Sequence, residues 1–75
     1  MAKLLTERYE ITQKVNKESV TIFAEISKDD EVTIQTHDSK PQFVFTRSKA
    51  DRVKAMGLAL QEAAELVESR KVTAG

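Results

Sequence analysis

The chain has no cysteine and no tryptophan, one histidine, one proline and two glycines among its 75 residues. Without thiols it forms no disulfide, and a single His without Cys falls short of a structural zinc set. The glycines stand at positions 57 and 75, so no glycine-rich loop is present to cradle a phosphate. No run approaches the ~18 apolar residues of a membrane span, and the opening MAKLLTERYE has no signal-peptide core. An excess of one charge sign is missing too. Twelve Lys+Arg meet 12 Asp+Glu, which argues against a wholesale polycation and leaves room for a local basic face. What is present is a globular balance of 40% hydrophobic and 32% charged residues. The expectation is one small intracellular domain over residues 1–75. A domain of this size buries only about 60% of its unfolded surface. With disulfide and metal closed to it, oligomerisation is the expected source of further core.

Period-two patterning predicts four strands, at about residues 6–16, 19–27, 31–37 and 42–46. In the first, Tyr9, Ile11 and Val15 fall on one parity and Arg8, Glu10, Thr12 and Lys14 on the other, with Gln13 interrupting the apolar row. In the second, Val20, Ile22, Ala24 and Ile26 alternate with Ser19, Thr21, Phe23 and Glu25. Val32 and Ile34 carry the row through the third strand. In the fourth, Phe43 and Phe45 are expected inward and Val44 outward. Short polar breaks at Asn16-Lys17-Glu18, Lys28-Asp29-Asp30 and His37-Asp38-Ser39-Lys40-Pro41 imply antiparallel neighbours in a meander.

The period changes at Arg47. Ser48-Lys49-Ala50-Asp51 reads as a capping box, with Ser48 accepting from a first-turn N–H and Asp51 reaching back. One helix is predicted over about residues 48–70, because the segment is free of proline and rich in Ala, Leu and Glu. At ~100° per residue, Val53, Met56, Gly57, Leu60, Ala63, Ala64 and Val67 share one side, and Ala55, Ala59 and Leu66 widen it. That is broader than the stripe needed to dock on one sheet. Gly57, Ala63 and Ala64 would admit a second helix closely, so these seven residues are the expected interface of a helix-mediated homodimer. The fold class expected is α+β, a four-stranded antiparallel meander followed by one long C-terminal helix (β-β-β-β-α).

Catalysis finds little to work with. His37 lacks an orienting partner, and Asp29-Asp30-Glu31 reads as a solvated turn and not as a cation loop. No enzyme activity, metal or cofactor is expected. The outward strand face is more informative, since it mixes cations, hydroxyls, amides and the aromatic Phe23. Single-stranded nucleic acid is bound by such a combination, with cations following phosphates and a ring stacking an unpaired base. Arg8, Lys14, Lys17, Phe23, Lys28 and Lys40 are the expected binding residues. The alternative is a dimeric protein-interaction adaptor that uses Phe23 as its anchor. RNA or unwound duplex would suit the same residues as well as DNA.

Over about residues 7–67 the pattern resembles the positive-cofactor-four family of single-stranded DNA-binding proteins, which includes transcription coactivators and bacteriophage-encoded relatives. Arg8-Tyr9 resembles the basic–aromatic pair that opens the family's first strand, and Lys14 and Lys17 stand at its basic first hairpin. Val20-Thr21-Ile22 is similar to its second strand, and Lys40 precedes Phe43-Val44-Phe45 as a basic residue precedes its last. The chain departs in lacking Trp, in having its first glycine at 57 and in placing Glu25 where a basic residue is expected. The resemblance implies dimers joined through helices, with β-ribbons that present cations and aromatics to unpaired DNA. Such a protein would support replication, recombination or transcription, in a host cytoplasm if phage-encoded or a nucleus if eukaryotic.

Overall fold

The computed structural model describes residues 2–4 and 8–74, the side chains of residues 3, 4 and 70–74 excepted. Its body is a three-stranded antiparallel meander with one C-terminal helix laid across one face. β2 (Tyr9–Val15), β3 (Glu18–Ile26) and β4 (Val32–Gln35) follow one another in space as in sequence. A short β1 (Ala2–Leu4) joins the free edge of β2, pairing Ala2 with Ile11 and Leu4 with Tyr9. The helix α1 spans Ala50–Ala74. Its 25 residues reach about 37 Å at 1.5 Å each, close to the molecule's 39 Å long axis.

The inner face of the sheet is the one its alternation predicts. Ile11, Val20, Ile22 and Ala24 are buried under α1, and Tyr9, Val15, Val32 and Ile34 pack around them. Gln13, the break in the apolar row, points to this face as well. It is satisfied there, its side-chain amide donating to the Glu62 carboxylate on the helix. Two turns use residues that tolerate a left-handed backbone: Asn16 (φ 56°) between β2 and β3, and Asp30 (φ 64°) between β3 and β4. In the second turn the Ser27 hydroxyl accepts from the N–H groups of Asp29 and Glu31. These bonds hold the turn's backbone from within.

Three expectations are corrected. The expected meander of four strands, the last at 42–46, gives way to the three strands β2–β4 edged by β1; residues 41–46 carry no regular secondary structure. Just after Pro41, the Gln42 N–H turns back to donate to Lys40 O at 2.7 Å and is lost to any ladder. The Thr36 side chain then takes the place of a strand partner. Its hydroxyl accepts from Val44 N–H at 2.9 Å and donates to Gln42 O at 3.2 Å, while Thr36 N–H donates to Gln42 O at 2.8 Å. Phe45 packs on the core as expected, whereas Phe43 is exposed. The other end of the expected first strand, residues 6–7, lies outside the described residues.

The capping box is the second correction. Ser48 donates to Thr46 O and accepts from Arg52, and Asp51 accepts from Asn16; the helix starts instead at Ala50, with Val53 N–H donating to Lys49 O. The third is the helix face. Ala55, Ala59 and Ala63, four residues apart, are buried against the sheet with Met56 and Val67, and Leu60 packs beside them. Val53, Gly57 and Ala64 alone of the expected dimer residues are exposed. Alanine explains the difference: three small side chains in line let the helix axis sit close to Ile11 and Ile22, so the alanines form the docking seam.

Candidate nucleic-acid interface

The antiparallel register decides which outward side chains are neighbours. Glu10, Phe23 and Gln35 form one row across β2, β3 and β4. Thr12 opposes Thr21, and their hydroxyls hydrogen-bond at 2.9 Å. Lys14 opposes Ser19, and Glu25 opposes Thr33. β1 brings Lys3 to the position opposite Glu10. Directly opposed Cβ atoms stand ~4.5–5.5 Å apart, so Glu10, Phe23 and Gln35 are neighbours along their row.

Phe23 faces outward as its parity predicts, but it is half-buried instead of freely exposed. The Arg8 guanidinium lies over its ring, 5.3 Å from the centroid. A cation in that position gains ~0.5–1 kcal/mol at an exposed site. Arg8 and Phe23 are therefore brought together, a contact that strand parity alone does not reveal. The strand cations Arg8 and Lys14 are matched by Glu10 and Glu25 on the same face. Among the described side chains the outer face of the sheet is close to neutral.

Cations outnumber acids at the β2–β3 turn and along the chain that enters the helix. Lys14 and Lys17 are exposed at the β2–β3 turn. Asn16 in that turn donates its side-chain amide to Asp51 at 3.0 Å, which ties the hairpin tip to the first turn of α1. The chain leading there, residues 39–54, has Lys40, Arg47, Lys49, Arg52 and Lys54 against Asp51 alone. Arg52 is occupied locally, over the Phe45 ring at 4.7 Å and on the Ser48 hydroxyl at 2.6 Å. Lys40, Arg47 and Lys49 are exposed, and between them Phe43 and Val44 are 49% and 60% exposed. Sequence reasoning missed Phe43 and Arg47 as site candidates. The proline before Phe43 and the run of cations after it were the available signals.

Lys28 stands apart from this group, exposed in the β3–β4 turn at the opposite end of β3 beside Asp29, Asp30 and Glu31. His37 is exposed, and its carbonyl accepts from the Gln35 side chain. Among the described residues no three His, Cys, Asp or Glu side chains are grouped to hold a metal ion. Nor, among them, is any helix long and apolar enough to cross a membrane. No protein-family model, no curated protein and no solved structure matches this chain.

Proposed function

We propose that this protein binds single-stranded DNA without catalysing a reaction, acting as a homodimer of the positive-cofactor-four type in replication, recombination or transcription. The observation that carries this reading is the Arg8–Phe23 pair, set among the outward hydroxyl and amide side chains of Thr12, Thr21, Thr33 and Gln35. Arg8, Lys14, Lys17, Lys28 and Lys40 would pair with phosphates and displace their condensed counterions into solution. A base arriving at Phe23 takes the place of the guanidinium over the ring, and Arg8 turns to a phosphate. The ring thereby exchanges one π partner for another at little net cost.

The second copy enters through the helix. Val53, Gly57, Leu60 and Ala64 succeed one another at spacings of four, three and four, beside the seam buried on the sheet. A ridge of that spacing with small residues in it suits an isologous contact, and two copies present two sheet faces to one strand. The test is a fluorescence-anisotropy titration with a labelled oligonucleotide of about 30 residues, single-stranded and duplex, run beside light scattering. Expected are preference for the single strand, the mass of two chains, and weaker binding by Phe23→Ala at unchanged mass. Absence of single-strand binding at low salt contradicts the function, and the mass of one chain contradicts the dimer.

A further inference from the structure

We infer that Lys40, Phe43 and Arg47, with Lys14 and Lys17 of the β2–β3 hairpin tip, form a second contact for the same single strand, with Phe43 as its stacking platform. This rests on the single-strand reading above and extends it to residues outside the sheet. Three observations meet here. Phe43 holds its ring out, 49% exposed, only two residues from Phe45, which packs on the core. Its backbone is fixed nevertheless: Gln42 O accepts from Thr36 N–H at 2.8 Å, and Val44 N–H donates to the Thr36 hydroxyl at 2.9 Å. A ring presented from a segment bonded on both sides is ready to bind without first being ordered.

The third observation is charge. Exposed Lys40 and Arg47 flank Phe43 within about 10 and 14 Å of extended chain. The Asn16–Asp51 bond brings the hairpin tip, with Lys14 and Lys17, up to the helix start just past Lys49. A flat apolar ring among cations is complementary to a polyanion whose π faces are uncovered. Single-stranded nucleic acid has both features. A duplex keeps its base faces stacked, and an acidic peptide has no bases to stack.

Arg47 offers a test that separates binding from folding. Its φ of 41° is left-handed, a region that glycine adopts freely and arginine does not. Arg47→Gly is expected to keep or raise the melting temperature. It should also make the log–log salt slope of single-strand binding shallower by about 0.7, the loss of one phosphate contact. Phe43→Ala is expected to raise the single-strand Kd about fivefold or more. Phe43→Leu, which keeps apolar bulk but no π face, should lose a similar factor and serves if the alanine variant folds poorly. Val44→Ala, at the more exposed neighbour, should leave Kd unchanged. Wild-type binding with an unaltered Kd for both Phe43 variants overturns the loop contact and leaves the sheet reading standing. A wild type that binds no single strand overturns both. Equal losses at Phe43 and Val44 overturn stacking in favour of plain apolar contact.

Discussion

The β2–β3 ladder and the loop of residues 36–49 present aromatic rings for different reasons. In the ladder, pairing runs unbroken from Tyr9↔Ala24 to Val15↔Glu18, and Ile11, Ile22 and Ala24 are wholly buried beneath the helix. With Ile22 and Ala24 inward, alternation sends Phe23 outward whatever its use, and Arg8 then covers it. In the loop no ladder dictates direction. Thr36 pins Gln42 and Val44, and Phe43 stays open. Phe23 has a structural reason to be where it is, and Phe43 has none. An exposed ring is stronger grounds for a binding role when the fold does not impose its exposure.

Substitutions that break this contrast are ordered by size. Ile22→Ala removes buried volume at the centre of the ladder and should cost ~2–5 kcal/mol of stability in urea denaturation. A cost under ~1 kcal/mol would mean that the helix is not sealing the sheet. Thr36→Val keeps the shape of the loop's anchor but deletes its hydroxyl, at a cost of about 1 kcal/mol. Hydrogen exchange at the Val44 amide should then accelerate while the Ile11 and Ile22 amides keep their protection. Acceleration at all of them together would show that loop and ladder open as one unit. The smallest effect is expected from Glu25→Gln, on the exposed strand face. Stability should stay within ~0.5 kcal/mol, and single-strand affinity should rise about twofold as a carboxylate leaves the path of the phosphates. An unchanged affinity would place the strand away from that end of β3.

Strand alternation made the inner face legible residue by residue, from Ile11 to Ile34, because one buried face imposes a strict period of two. Three residues are too few to show a period, so β1 could not be read. Phe43-Val44-Phe45 failed for the opposite reason: it has a strand's alternation, but the turned-back Gln42 N–H and the Thr36 side chain take away its ladder. Ala55, Ala59 and Ala63 looked like helix formers filling space, whereas their smallness is what allows close docking. The cations of the candidate site were legible as types and positions. The approach of the hairpin tip to the helix start was not, because it depends on the Asn16–Asp51 bond between residues far apart in sequence.

The neutral composition is thus distributed unevenly: balanced on the sheet, basic at the hairpin tip and loop, acidic in the turn at 29–31 and along the exposed helix at Glu65 and Glu68. The most direct measurement is the affinity of the wild-type protein for a single strand between about 50 and 200 mM salt. If Arg8, Lys14, Lys17, Lys28, Lys40 and Arg47 each neutralise a phosphate, log Kobs should fall against log salt with a slope of about −4.2 per protomer engaged. A slope near zero, or no binding at the lowest salt, would contradict nucleic-acid recognition and favour a polypeptide partner on the same face.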